Sequence, residues 1–244
     1  MEQLEQITHT IALSMGAAWA SGINLYATIL MFGLMGNSGT IVLPETLQIL
    51  QDPLVIWASA LMFVVEFFAD KIPGVDSGWD SLHTFIRIPA GAALAAAAVG
   101  AVNPAVVVAA ALVGGTLTTA THIGKSGSRL LINTSPEPVS NWGASLGEDL
   151  AVFGGLWVAL THPVVFLLGL FIFILLLIWL LPKLWYLLKR IFSSICRCFR
   201  RPKNAPVPEP PPEPLSAVQV QPVQVQQIEK AEIIIPQDKD CTHG

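Results

Sequence analysis

The sequence predicts an all-α membrane protein: a polytopic bundle of about six transmembrane helices with an internal two-helix repeat and a disordered C-terminal tail. Of its 244 residues, 53% are hydrophobic and only 12% are charged, and the mean hydropathy is +0.61. Residues 6–44, 88–124 and 151–182 contain no Asp, Glu, Lys or Arg. Because a spanning helix needs about 20 apolar residues, these runs exclude an ordinary soluble domain.

Six helices follow from the apolar runs and from the residues that interrupt them. Pro104 and Pro163 suit the first turn of a helix, and each pushes the preceding residue out of helical geometry. Predicted helices 2 and 5 are short, so each is either a full span or a re-entrant half-span. The six are helix 1 from about Thr10 to Met35, helix 2 from Leu54 to Asp70, helix 3 from Ser81 to Val102, helix 4 from Pro104 to Ile132, helix 5 from Ser145 to Leu160 and helix 6 from Val164 to Leu181.

The basic residues predict the orientation. Lys and Arg accumulate on the cytoplasmic side of membrane proteins, and a basic juxtamembrane segment, residues 183–203, follows predicted helix 6. Residues 1–20 contain no Lys or Arg, so they lack the basic region of a cleavable signal peptide and are expected to stay attached. With six passes, both termini are predicted to be cytoplasmic in a bacterial inner membrane.

Residues 204–244 form a tail rich in Pro and Gln, predicted to be disordered. It is either a solvated extension or a docking peptide for a protein that reads Pro-rich segments. The cysteines, Cys196, Cys198 and Cys241, all follow the last apolar run. The first two are either palmitoylation sites or plain thiols.

An internal repeat appears when the chain is shifted by 63 residues. The shift pairs a Pro-x3-Ser-x-Trp motif with a second copy: Pro73, Ser77 and Trp79 with Pro136, Ser140 and Trp142. The transmembrane domain, residues 1–182, then contains repeat A at about 54–102, repeat B at about 104–162 and an extra helix at 164–182. Parallel and inverted repeats both occur in transporters, although duplication for packing alone gives the same pattern.

Ionisable residues concentrate at the predicted cytoplasmic ends of the repeats, often four apart on one helix face. Each costs about 2.5 to 3.5 kcal/mol at the bilayer centre, so we expect most of them near the interface. Glu66 and His122 lie deeper and are the stronger functional candidates. The candidate polar site comprises Glu66, Asp70, His83, Arg87, His122, Lys125, Arg129, Glu148 and Asp149.

Several of these residues also have a structural interpretation. Ser145-x-x-Glu148 has the pattern of a capping box at the start of predicted helix 5. Asp80 or Ser81 suits the cap of predicted helix 3. No nucleotide-binding, zinc-protease or hydrolase motif is present in the sequence. We therefore predict no catalytic residue, metal site or cofactor.

Four ordered stretches together resemble an uncharacterised bacterial membrane-protein family, domain of unknown function 4126. They are residues 20–26; residues 66–80 with His83 and Arg87; His122-x2-Lys125-x3-Arg129; and residues 135–142 with Ser145, Glu148 and Asp149. The resemblance covers about residues 10–163, which leaves predicted helix 6 and the tail outside the shared core. It implies no activity.

The leading functional hypothesis is a carrier or channel for a small solute or ion, lined by Glu66, Asp70, His122, Lys125 and Arg129. One alternative is a membrane-embedded enzyme that acts on a lipid headgroup, with His83 or His122 as the acid–base residue. The other is a non-catalytic membrane scaffold whose tail recruits a partner. The expected partners are the lipid bilayer and a small solute or ion; no nucleic acid is expected, and a homo-oligomer stays open.

Overall fold

The computed structural model describes residues 1–72, 74–133 and 138–199, and every regular element in these ranges is a helix. The all-α class is therefore confirmed. Pro73, Pro136 and the predicted tail lie outside the described residues. The elements are α1 (Glu2–Ile23), α2 (Leu25–Asn37), a 3₁₀ helix (Glu45–Gln51), α3 (Pro53–Ala69), α4 (Val75–Val99), α5 (Pro104–Ile132), α6 (Pro138–Thr161) and α7 (Pro163–Phe199).

Three helical stretches of the described chain are long and apolar enough to cross a membrane: Val75–Val99, Pro104–Ile132 and Pro163–Leu187. The 3₁₀ helix and α3 meet at 67° and together supply a fourth, bent candidate. Along the most apolar 18 residues of α7, only 11% of the residues are buried within the protein. So large an apolar surface is typical of a helix that faces lipid, and the chain is a membrane protein. The count of six spans stays a prediction.

Predicted helix 1 is wrong as a single helix, because the chain breaks at Asn24. This residue is extended, with φ −147° and ψ 101°. Its side-chain oxygen accepts a hydrogen bond from the backbone N–H of Ala27 at 2.9 Å, which caps the first turn of α2. Asn24 therefore begins a new helix within an otherwise apolar run.

The chain reverses direction at this break. A cavity of about 520 Å³ lies where four parts of the chain meet: the first half of α1, the segment after α2, and the C-terminal ends of α4 and α6. In that order, these parts contribute His9, Thr40, Val99 and Leu160 to its lining. The outer ends of α1 and α2 thus lie at the same end of the bundle. We call this pair the α1–α2 hairpin and Asn24 its tip.

Small residues let α1 pack closely against α4, α5 and α6. A Cβ on Gly22 would collide with the Thr121 side chain of α5, and one on Gly155 of α6 would collide with the Trp19 ring of α1. The Ser14 hydroxyl also donates to the Ala95 carbonyl at 2.8 Å. Close backbone approach of this kind is how membrane helices associate when lipid removes the hydrophobic driving force. It fixes the tip among the other helices.

The predicted starts of two helices are too late. The helix α4 begins at Val75 rather than Ser81, and α6 begins at Pro138 rather than Ser145. Asp80 and Ser145 therefore lie inside helices and cap nothing. Predicted helix 4 is confirmed as α5, whose first N–H groups include that of Ala105, bonded to the Asn103 side chain at 2.9 Å.

The α7 helix is longer than predicted. It was expected to end at Leu181, one residue before Pro182, but it continues through this proline to Phe199. A proline removes one hydrogen bond without ending the helix when neighbouring groups compensate. The first part of the predicted juxtamembrane segment is therefore helical.

We expect the start of α1 and the end of α7 to lie on opposite sides of the membrane. The hairpin returns the chain to its starting end, and we expect α3 to α7 to cross the bundle five times after it. The background for the test is a variant in which the three natural cysteines are replaced by Ser. A single cysteine is introduced into it at either Gln3 or Lys189, and intact cells are treated with a maleimide that cannot cross the membrane. Gln3→Cys should react and Lys189→Cys should not. Equal reactivity of the two variants would restore the six-pass topology.

Candidate functional site

Charged side chains from four helices surround the tip of the α1–α2 hairpin. Six of the seven are at most 6% exposed, and the seventh, Glu148, has a side chain that is 19% exposed. The described residues pair them through eight contacts of 3.7 Å or less. We call this set the ion cluster: Glu66, Asp70, Asp80, Arg87, Lys125, Arg129 and Glu148.

The ion cluster is anchored on a backbone carbonyl that has no intrahelical partner because the helix breaks at Asn24. The carbonyl of Ile23, the last residue of α1, accepts hydrogen bonds from Arg87 Nη1 at 2.9 Å and Lys125 Nζ at 3.0 Å. A helix C-terminus carries a partial negative charge and has carbonyls without intrahelical partners. Two cations therefore occupy a position where the backbone itself attracts them.

Lys125 is the central residue of the ion cluster. Besides the Ile23 carbonyl, its ammonium donates to Asp70 Oδ2 at 2.9 Å and to Glu66 Oε1 at 3.2 Å. These three bonds use all three donors of the ammonium. Asp80 and Glu148 each lie 3.7 Å away. One side chain of α5 thus joins α1, α3, α4 and α6.

Two arginines complete the network. Arg87 forms an ion pair with Glu66 and lies 3.5 Å from Asp80. Arg129 binds both oxygens of Glu148, at 3.1 and 2.6 Å, in the bidentate geometry that guanidinium groups favour. Arg129 Nη1 also donates to Asn141 Oδ1 and to the carbonyl of Asp70, each at 2.8 Å. Arg129 thereby connects the ends of α3 and α5 to α6.

Asp149 joins this region through the tip. Its Oδ1 accepts a hydrogen bond from Asn24 Nδ2 at 3.1 Å, and its Oδ2 has no hydrogen-bond partner. Asp149 takes part in none of the ion pairs of the described residues, although it is 6% exposed. The same Asn24 side chain therefore caps α2 and contacts α6.

The two candidate histidines lie beside the ion cluster, and neither forms an ion pair with a carboxylate of the described chain. His122 Nε2 is 2.7 Å from the Thr84 hydroxyl, and its other ring nitrogen has no partner. His83 stacks on Trp79 with ring centroids 4.1 Å apart, and its Nδ1 is 2.9 Å from the Trp79 carbonyl. Their positions indicate packing roles.

The repeat motifs lie at the same end of the bundle but outside the ion cluster. The Ser77 hydroxyl oxygen accepts a hydrogen bond from Asn133, Ser140 is in α6, and Trp142 is exposed, 5.6 Å from the Lys71 ammonium. Pro73 and Pro136 lie outside the described residues, so the repeat stays a prediction.

The structure thus brings together most of the residues that the sequence singled out. Glu66, Asp70, Arg87, Lys125, Arg129 and Glu148 meet in the ion cluster, where they are paired with one another, and Asp149 lies next to it. Sequence analysis did not assign Asn24, Asp80 or Asn141 to this site. Asp80 had a signal, since it lies seven residues before Arg87 and hence on the same helix face.

A cavity between the helices of the described chain reaches the ion cluster. It measures about 500 Å³ and lies between α1, α5, α6 and α7, where Lys125 and Glu148 line one wall and apolar side chains such as Phe173 and Leu177 line the other. In the described parts of the chain, no three His, Cys, Asp or Glu side chains converge to hold a metal ion. The cavity thus places one ammonium and one carboxylate of the ion cluster beside an apolar wall.

Lys125→Met should destabilise the protein strongly. The substitution keeps the length of the side chain but leaves Glu66 and Asp70 without their shared cation, and breaking a buried ion pair costs about 3 to 5 kcal/mol. Thermal unfolding of the detergent-purified protein measures the effect. The control is Lys71→Met, because the Lys71 ammonium is also buried but donates only to the Phe67 carbonyl. Equal Tm values for the two variants would show that the ion cluster does not support the fold.

Comparison with known proteins gives the family but no activity. No curated protein and no solved structure is significantly similar to the chain. A family model described as a domain of unknown function, DUF4126, matches residues 11–183. This range includes predicted helix 6, so the expectation that the helix lies outside the shared core was wrong. It also contains the tip of the α1–α2 hairpin and the whole ion cluster, and the chain belongs to the DUF4126 family.

Proposed function

We propose that this protein is a carrier for a small solute or ion, with its binding centre at the tip of the α1–α2 hairpin. The observation that carries the proposal is a helix interrupted at Asn24, with both new helix ends buried among charged side chains. Secondary transporters bind substrates and coupling ions at interrupted helices of this kind. Irregular backbone in a membrane is tolerated only where protein or a water-filled cavity surrounds it.

The bonding pattern of the ion cluster supports a site that rearranges. Lys125 and Arg87 hold the Ile23 carbonyl, and the same two cations hold carboxylates on α3 and α4. A ligand that competes for either cation changes the contacts of the tip and of the helices at once. Small shifts at a packed site are converted into larger motions in this way.

Access to the site supports a state that is open to one side only. On the α1 side the path to the tip is closed by fully buried alanines, including Ala17, Ala18 and Ala95. On the opposite side the cavity between α5, α6 and α7 reaches Lys125 and Glu148. A carrier exposes its site to one side at a time, and these positions fit a state closed towards the start of α1.

The lipid-headgroup enzyme has weaker support. The apolar wall of the cavity that reaches Glu148 favours a lipid-like ligand. An acid–base residue, however, needs a partner that tunes it, and neither His83 nor His122 pairs with a carboxylate in the described residues. We place the carrier in a bacterial inner membrane with the end of α7 in the cytoplasm, because the basic residues cluster there.

Flux into proteoliposomes tests the proposal. The wild type should move one class among protons, alkali ions, anions and small metabolites down an imposed gradient. Glu66→Gln should lower that flux at least tenfold, since losing about 1.4 kcal/mol of binding free energy has this effect. Glu45→Gln is the matched control, because Glu45 is exposed and lies in the 3₁₀ helix that precedes α3.

The protein level and Tm of each variant separate misfolding from lost transport. If Glu66→Gln fails to accumulate, Glu148→Gln replaces it, since Glu148 is partly exposed. Wild-type protein that moves no class of solute, or Gln variants at both positions that transport at the wild-type rate, would overturn the carrier proposal.

A further inference from the structure

The buried charges of the bundle do not balance. Of the acidic and basic residues within 66–149 that the structure describes, six are acids and four are bases, which leaves an excess of two negative charges. Nine of the ten are buried, and Glu148 is partly exposed. A buried carboxylate without a compensating partner is strongly unfavourable and takes up a proton or a cation instead. The acids are Glu66, Asp70, Asp76, Asp80, Glu148 and Asp149, and the bases are Lys71, Arg87, Lys125 and Arg129.

Hydrogen bonds and ion pairs indicate which acid carries the excess. Four of the six acids form ion pairs within the ion cluster. Asp76 forms none but accepts hydrogen bonds from the backbone N–H groups of Gly74 and Ser77 and two from Asn133 Nδ2, all at 2.6 to 2.9 Å. Such bonds stabilise a charged carboxylate.

Asp149 forms no ion pair and has fewer hydrogen bonds than Asp76. Its only hydrogen bond is from Asn24, and its second oxygen is buried without a partner. The charged groups that face it are Lys125 on α5, Glu66 and Asp70 at the end of α3, and Lys71 in the turn that follows. All but Lys71 are already engaged with one another in the ion cluster, and the Lys71 ammonium donates to the Phe67 carbonyl.

We propose that Asp149 is a proton-binding site and that the proton is the coupling ion of the carrier. The step is an acid–base equilibrium in which a proton from water forms an O–H bond with the free Oδ2 and the carboxylate becomes a neutral carboxylic acid. No other bond forms or breaks. A proton needs no coordination shell, which suits a site with a single hydrogen-bond partner.

Proton binding is linked to the tip through Asn24. The Asn24 side chain donates to Asp149 and accepts from the Ala27 N–H. A hydrogen bond to a charged carboxylate is about twice as strong as a bond to a neutral group. Protonation therefore weakens the attachment of the tip to α6, and deprotonation strengthens it. This consequence rests on the proposed carrier function, whereas the proton site itself does not.

Infrared difference spectroscopy of the purified full chain in lipid nanodiscs tests the site without transport. Between acid and alkaline pH, the wild type should lose one C=O stretching band of a buried carboxylic acid. Asp149→Asn should lack this band, because the amide keeps the Asn24 contact but cannot titrate. Asp76→Asn is the control and should keep the band, since Asp76 is buried but fully hydrogen-bonded.

Three results would overturn the inference: a band that persists in Asp149→Asn, a band that is lost in Asp76→Asn, and a band that Na⁺ abolishes at constant pH. The last would assign the site to alkali ions. The Tm of each variant shows that it is folded. Flux measured on the same samples separates the two proposals: a band with no flux contradicts the carrier alone, and flux with no band contradicts the proton site alone.

Discussion

The backbone carbonyl of Ile23 is the group on which the rest of this architecture depends. The break at Asn24 removes the N–H groups that would have continued α1, and a bilayer offers no water to replace them. Arg87 and Lys125 supply the donors from α4 and α5. Two cations buried beside a helix end then require carboxylates, which α3, α4 and α6 provide. The ion cluster follows from one interruption of the chain.

The same constraint explains why small residues are concentrated around α1. The tip reaches the cations only if α1 lies close to α4 and α5, and Gly22 stands where any side chain would collide with Thr121. Polar and apolar packing therefore support each other. A buried ion network by itself adds little stability compared with well-packed apolar residues, which is consistent with the ligand-binding role proposed for it.

The elements that local sequence specifies were predicted well. The start of α5 follows from Asn103 and Pro104, and its end at Ile132 was also predicted. Most residues of the ion cluster were found because an ionisable side chain in an apolar segment is rare and therefore informative. The break at Asn24 was not found, because the residues on both sides are apolar and one Asn gives only a weak capping signal.

The starts of α4 and α6 were misplaced for a different reason. Ser145 and Glu148 match a local capping pattern, but Glu148 pairs with Arg129 on a neighbouring helix. A side chain with two suitable partners forms the more stable interaction. A bidentate ion pair with a buried arginine is stronger than the hydrogen bond of a helix cap. Local sequence patterns do not show which side chains pair between helices, so these contacts of the site could be identified only from the structure.

The reversal of the chain at Asn24 is the central claim, and a distance measurement tests it most directly. Spin labels at His9 and Thr40, both exposed and both lining the same cavity, would be measured by pulsed electron paramagnetic resonance in nanodiscs. The hairpin predicts a separation close to the width of that cavity. One continuous helix would separate the two positions by about 45 Å, at 1.5 Å per residue, and that result would contradict the account.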